Sequence, residues 1–201
     1  MRKSLSLLLL GLALAGCNGN LVPVNEKALL APLTPTYTGT LPNPWYLYQA
    51  ALKTGPWFQG IAVWDNYLMV NINPASAVNP FDGPVCMDVA YTNASSGVTW
   101  AEAAFIDTPS FSTYAASTGV NISAGGYTKC VFMLRTDQAA TVPFQMDGVP
   151  ATNIAATTSW QQVTIPLEPV ASQIAVKTFF QVNTPTVVPL NIYIADLRYE
   201  Q

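Results

Sequence analysis

From Trp45 to the C-terminus, apolar and polar residues alternate at every second position, and turn residues such as Asn-Pro, Asp-Gly and Gly-Gly repeatedly interrupt the alternation. A period of two is that of a β-strand, because successive side chains of a strand point to opposite faces. Many short alternating segments separated by turns predict an all-β, antiparallel β-sandwich, a jelly roll of about ten strands. The expected strands are Trp45–Tyr48, Ile61–Trp64, Tyr67–Ile72, Val85–Thr92, Val98–Ile106, Tyr127–Thr136, Thr141–Met146, Gln161–Pro166, Ile174–Asn183 and Asn191–Tyr199.

The composition excludes several classes of chemistry. The chain has 201 residues and no histidine, so it contains no Ser-His-Asp triad, no Cys-His pair and no histidine-ligated zinc or copper. Its formal net charge is −3 and it has no Lys/Arg cluster, which predicts no nucleic acid partner. Half of the residues are hydrophobic, which is enough for a packed core.

The N-terminus carries a different pattern. Arg2 and Lys3 precede an apolar run, Leu5–Leu14, that is too short to span a bilayer. The run ends in Leu-Ala-Gly-Cys17, which resembles the bacterial lipobox. The resemblance implies a signal peptide over residues 1–16 and a lipid anchor, with palmitate-type acyl chains, on Cys17. An ordinary secretory signal with an incidental cysteine is the alternative.

The residue after the lipidation site bears on the location. It is Asn18 rather than Asp, which by resemblance to the usual sorting rule favours the outer membrane. Residues 17–44 are rich in proline, which fixes φ and removes amide donors, so we expect a semi-extended tether. The β jelly-roll domain is then expected over residues 45–201.

Two cysteines remain beside the lipidation site. Cys86 and Cys130 fall on predicted strands that could be neighbours, and the compartment is oxidising, so we predict a disulfide between them. Two buried free thiols are the plain alternative. A copper(I) site with Met69, Met87 and Met133 as further sulfur ligands is a distant alternative, and copper is not expected.

Tryptophans are the candidate ligand contacts. Sugar C–H groups stack on indole rings, so a sugar site requires exposed aromatic rings beside polar groups. Trp57, Trp64 and Trp100, with Asp65 as the polar neighbour, form the candidate set. Trp160 begins an alternating strand and is expected to be a core residue.

Carboxylates give little sign of catalysis. Glu102 and Asp107 lie five positions apart on one predicted strand, hence on opposite faces, and cannot by themselves form the acid/base pair that cleaves glycosides. A pair drawn from different strands stays open, but the protein is predicted not to be an enzyme.

Four spaced fragments of the chain carry a family resemblance, namely Trp100–Phe105, Gly119–Arg135, Trp160–Leu167 and Ile192–Glu200. They resemble jelly-roll domains of the galactose-binding-like class, which includes many carbohydrate-binding modules. The resemblance implies an antiparallel sandwich that binds glycans, although the same fold also hosts structural domains. Such domains often hold a structural calcium between the chain ends, and Asp196 is the one acid left for it, so Ca²⁺ is at most weakly expected.

Together these features predict a lipid-anchored, non-catalytic jelly roll of the cell envelope that binds glycan or a cell-wall polymer. The alternative is a structural accessory subunit of a surface-layer (S-layer) or outer-membrane protein complex. A copper-binding redox protein with Cys and Met ligands is the distant third.

Overall fold

A computed structural model describes residues 40–51, 60–64, 69–92, 100–109, 111–167 and 173–201. Within these ranges the chain forms eleven strands, one short α-helix, α1, at Phe111–Tyr114, and one 3₁₀ turn at Ser123–Gly125. None of the helices in this part of the chain is long and apolar enough to cross a bilayer. The strands are β1 Trp45–Tyr48, β2 Gly60–Trp64, β3 Val70–Ser76, β4 Cys86–Tyr91, β5 Glu102–Ile106, β6 Lys129–Thr136, β7 Ala140–Met146, β8 Val149–Ala156, β9 Gln161–Pro166, β10 Thr178–Asn183 and β11 Leu190–Glu200.

The strands form two antiparallel sheets. Sheet I has the order β3-β4-β11-β6-β9, with β1 beside β11, and sheet II has the order β2-β5-β10-β7-β8. Alternate residues of both sheets point into one shared hydrophobic core, which is why the alternation predicts the architecture. The predicted jelly-roll sandwich is confirmed.

Four phenylalanines form the centre of the core. The ring centroid of Phe180 on β10 lies 5.1 Å from that of Phe132 on β6, 5.4 Å from that of Phe144 and 5.8 Å from that of Phe105. Phe132 belongs to sheet I and the other three to sheet II, so this cluster joins the two sheets. Edge-to-face geometry of such rings adds to the burial of their area.

The first and last strands close one end of the sandwich. Trp45 on β1 pairs with Tyr199 on β11, and its ring packs edge-on against Phe179 with a centroid distance of 5.3 Å. Tyr127 adds a hydrogen bond of 2.7 Å from its hydroxyl to the carbonyl of Pro42. The segment that enters the domain is therefore fixed beside the C-terminal strand.

The predicted disulfide is wrong. Cys86 and Cys130 are both free thiols. They lie on β4 and β6, which β11 separates, and on opposite faces of sheet I, since Cys130 points into the core and Cys86 to the outer side. This placement also separates the two sulfurs that a copper(I) ion would have to share.

A thiol count tests this arrangement. In a Cys17→Ser variant that is denatured without a reductant, we expect two labelled thiols per chain. Burial raises the pKa of both cysteines, so the folded protein should react slowly at neutral pH. Mass spectrometry after alkylation measures the number of labelled thiols. If the cysteines take up label only after reduction, the disulfide is present and this arrangement is wrong.

Candidate functional site

The outer face of sheet I is covered by the protein's own chain. Residues 77–85, between β3 and β4, cross this face, and we call them the strap. Arg135 on β6 donates a hydrogen bond of 2.9 Å from Nη2 to the carbonyl of Val78. Trp160, just before β9, donates one of 3.1 Å from Nε1 to the carbonyl of Asn79. Two side chains of distant strands thus hold the strap onto the sheet.

Arg135 is the centre of this packed layer. Only 7% of the residue is exposed, and its guanidinium carbon lies 3.9 Å from the ring centroid of Tyr193 and 5.4 Å from that of Trp160. Trp160 is therefore half-buried on the outside of sheet I. The expectation that it is a core residue is wrong. The indole of Trp160 packs over the guanidinium of Arg135 and shields it from solvent.

The outer face of sheet II has a different character, since polar side chains run across it in register. Glu102 on β5 stands between Trp64 on β2 and Asn183 on β10, each a direct cross-strand partner. The neighbours of these residues along the chain, Ala103 and Val182, are buried in the core, so the row itself faces outward. An indole, a carboxylate and an amide therefore lie side by side.

A second row of side chains lies parallel to the first. Gln181 on β10 pairs with Ala104 on β5 and with Gln145 on β7. The amides of the two rows are linked, because Gln181 donates from Nε2 to Oδ1 of Asn183 at 2.5 Å and Asn183 donates from Nδ2 to Oε1 of Gln145 at 3.5 Å. From β2 to β7 the polar band crosses three strand spacings, about 14 Å.

An aromatic pair borders the band. The ring of Tyr114 in α1 meets that of Trp64 edge-on, with a centroid distance of 5.2 Å, and its hydroxyl lies 2.7 Å from Oγ1 of Thr178. The turn after α1 is fixed as well, since the hydroxyl of Ser117 donates to Oδ2 of the buried Asp107. The position of the tyrosine is thus held by β10 and by the residue that follows β5.

Trp100 belongs to the same side of sheet II. It lies two residues before Glu102 and is 54% exposed, whereas Ala101 between them is buried in the core. Phe105, five positions further along, is by contrast a core residue. Two of the candidate tryptophans, Trp64 and Trp100, therefore lie on one side of one sheet.

Burial affects the charge on this face. Partial burial raises the pKa of Glu102 above its usual value, because a carboxylate loses solvation on the sheet surface. A carboxylate in this state is a strong hydrogen-bond acceptor for a hydroxyl group that replaces the lost water.

Solved structures place this architecture among known folds. No known protein-family profile matches the sequence, and no curated protein resembles it in sequence. A family 30 carbohydrate-binding module aligns over 79% of this chain and 98% of its own, with a TM-score of 0.53 and 12% identity. The chain therefore shares the β-sandwich fold of this module.

Further structures of such modules resemble the chain more distantly. A family 61 module solved with β-1,4-galactotriose covers 72% of this chain and 90% of its own, with a TM-score of 0.47 and 12% identity. A xylan-binding domain from Paenibacillus barcinonensis covers 80% and 96%, with a TM-score of 0.47 and 8% identity. These identities concern the fold alone, so function has to be argued from the site.

Several predicted site residues lie outside the described residues, namely Trp57, Asp65 and Cys17. Asp196 is described and lies at a bulge of β11 with a positive φ of 48°. Burial raises its pKa, and the guanidinium of Arg198 opposes that shift. The described residues contain no group of three acidic, cysteine or histidine side chains that could hold a metal ion. Calcium at Asp196 stays a prediction.

Proposed function

We propose that this protein is a non-catalytic carbohydrate-binding domain whose glycan lies on the outer face of sheet II. The observation that carries the proposal is the cross-strand row of Trp64, Glu102 and Asn183. The row combines the two elements that sugar recognition needs, an aromatic face for the C–H side of a pyranose and fixed polar groups for its hydroxyls.

The two faces of the sandwich differ in availability. On sheet I the strap and Trp160 cover Arg135 and Tyr193, so that most of the polar surface is already satisfied within the protein. On sheet II the side chains of both rows keep part of their surface exposed, although Ala62 and Ala104 between them are buried beside Trp64 and Tyr114. The band length of about 14 Å suits an oligosaccharide better than a single sugar.

The charge of the face favours a neutral glycan. Glu102 is the one ionisable residue in the two described rows. Beside the adjoining Tyr114, the carboxyl groups of Asp107 and Asp147 stand against a single cation of the described residues, Lys177, whose Nζ lies 5.7 Å from the ring centroid. An acidic polysaccharide would bring its own carboxylates beside these carboxyl groups, which costs free energy. Uncharged hydroxyl groups gain hydrogen bonds at the same positions.

The proposal includes the location of the domain. The lipobox-like sequence at Cys17 and Asn18 supports a lipid anchor in the outer membrane, with a proline-rich tether that carries the domain away from the lipid surface. An anchored binding domain would hold the cell envelope against a glycan or a cell-wall polymer.

The test is affinity electrophoresis of the whole chain in gels that contain a soluble neutral polysaccharide, namely a β-glucan, a galactan, a xylan or a mannan. We expect retardation by at least one of them. Trp64→Ala should weaken it by about 30-fold or more, the cost of losing an aromatic hot spot. Glu102→Gln keeps the shape of the side chain and should weaken it by about tenfold or more.

The matched control is Val63→Ala, because Val63 lies on the same strand but on the opposite side and should leave retardation unchanged. Unaltered binding in both Trp64→Ala and Glu102→Gln would contradict the proposed face. If no polysaccharide retards the protein, but a solubilised envelope protein binds and is lost in Trp64→Ala, the accessory-subunit alternative holds instead.

A further inference from the structure

A second pair of aromatic rings is exposed on the other sheet. Phe81 in the strap is 43% exposed, and its ring lies 5.7 Å from that of the half-buried Trp160, centroid to centroid, with 62° between the ring planes. We call these two residues the outer aromatic pair. The strap also exposes 51% of Val78. These residues belong to sheet I and lie on the far side of the core from Trp64.

The outer aromatic pair is held firmly from below. The hydrogen bond from Nε1 of Trp160 to the carbonyl of Asn79 fixes the indole on the strap, close in sequence to Phe81. Arg135 lies under the indole and binds the carbonyl of Val78, which ties the same segment down a second time. A rigid exposed ring loses little entropy when a ligand covers it, so this arrangement favours binding.

The size of the surface identifies the kind of ligand. A stable protein interface buries about 800 Å² on each partner. An aromatic side chain contributes about 150–250 Å² when fully exposed, and the two rings are already partly covered. The outer aromatic pair with Val78 is thus far too small for a specific protein partner. It is large enough for one pyranose ring.

The shape of the pair points the same way. Because the ring planes are inclined by 62°, one flat sugar can stack on only one of them while its edge meets the other. The exposed side chains of Asn79 and Asp82 on the strap provide polar groups for hydroxyls at the rim. A long chain would need coplanar rings along its length, whereas a single unit or a chain end fits an inclined pair.

We propose that the outer aromatic pair is a second sugar-contact site, which takes one unit or one chain end of a neutral glycan. The domain then has two glycan contacts on opposite sheets. Two contacts on opposite sides of one rigid body let a single domain bridge two polysaccharide chains, and they raise the avidity for a dense glycan layer. This site rests on its own residues, and it holds or fails independently of the face on sheet II.

Four proteins test the proposal, namely the wild type, Phe81→Ala, Trp64→Ala and the double variant. Each is mixed with the same soluble neutral polysaccharides, a β-glucan, a galactan, a xylan and a mannan. Gel retardation reads binding, and turbidity reads cross-linking of the polymer. We expect the wild type to cross-link at least one polymer, each single variant to be retarded more weakly than the wild type and without cross-linking, and the double variant to lose both. Val187→Ala, an exposed apolar change elsewhere, is the control and should behave as the wild type.

The outcomes separate the two sites. If Phe81→Ala cross-links like the wild type while Trp64→Ala loses all retardation, the second site is wrong and the face on sheet II stands. If Trp64→Ala is retarded like the wild type and Phe81→Ala is not retarded, the outer aromatic pair stands and the proposed function of sheet II falls. A solubilised envelope protein that binds the wild type but not Phe81→Ala, with no polysaccharide bound, would overturn the sugar assignment. Thermal melting checks that Phe81→Ala is folded. Because Phe81 is partly exposed, its Tm should stay close to that of the wild type.

Discussion

Phe180→Ala should lower the free energy of unfolding by about 3–5 kcal/mol, the usual cost of emptying a buried phenylalanine site. The side chain is fully buried and its ring meets those of Phe105, Phe132 and Phe144, so the cavity opens in the middle of both sheets. Close packing from two rigid sheets leaves little room for the site to collapse. For a domain of this size, Tm should fall by about 10 °C.

Denaturant titration or calorimetry measures the loss, with Val187→Ala as the control. Val187 is partly exposed and its truncation should change stability by less than about 1 kcal/mol. A Phe180→Ala loss no larger than that of the control would mean that the phenylalanine cluster does not join the sheets.

Strand alternation predicted most of the fold, because the face to which a strand side chain points depends only on its position along the strand. Strand β8, Val149–Ala156, was not predicted, since its sequence VPATNIAA contains a proline and small residues and shows no clear alternation. It forms because β7 provides a partner along its whole length. Tertiary pairing here overrides a weak local preference.

The disulfide prediction failed for a related reason. Alternation separates the residues of each strand into two sets, so Cys130 shares a face with Phe132 and Cys86 shares one with Asp88. It does not say which strands are neighbours, and β11 from the far end of the chain lies between β4 and β6. Only the long-range register reveals that the two thiols face opposite sides.

The candidate site was predicted in part. Trp64 and Trp100 were singled out as aromatic residues, and the structure brings them to one side of sheet II. Gln181, Asn183 and Gln145 were missed, because a glutamine or asparagine on an exposed strand position carries no signal until its cross-strand neighbours are known. Alternation around Val182 could have indicated that Gln181 and Asn183 share a face.

The same limit applies to Trp160. Its place at the start of an alternating strand suggested the core, whereas the indole covers Arg135 on the outside. The signal that could have corrected this was Arg135 itself, at an outward position of β6, since a buried guanidinium requires partners above the sheet.

Asp88→Asn should stabilise the protein at neutral pH by about 1–2 kcal/mol, with the gain lost near pH 4. Asp88 lies on the outer face of β4 between Asn73 and Tyr193, and its Oδ1 is buried without a hydrogen-bond partner. The pKa of this carboxyl is raised to about 6, mainly by burial and in part by Asp137, while Arg135 opposes the shift.

The direction follows from the two states of the chain. In the unfolded chain Asp88 ionises near the ordinary aspartate pKa of 3.8, so the folded state binds the proton more tightly. The cost of the buried charge is absent below about pH 4 and is fully present above about pH 6, which means that Asp88 destabilises the wild type as pH rises through this window. Asparagine has the same shape and no charge, so it removes the cost only where the wild-type carboxyl is ionised.

Urea unfolding of both proteins at pH 4 and pH 7 measures the difference. The exposed Asp82→Asn is the matched control, and it should change stability by less than about 0.5 kcal/mol at either pH. A gain of equal size at both pH values would point to a better hydrogen bond of the amide rather than to the charge. A loss of stability at pH 7 would mean that the ionised carboxyl is favourably paired with Arg135, which would reverse the role assigned to burial.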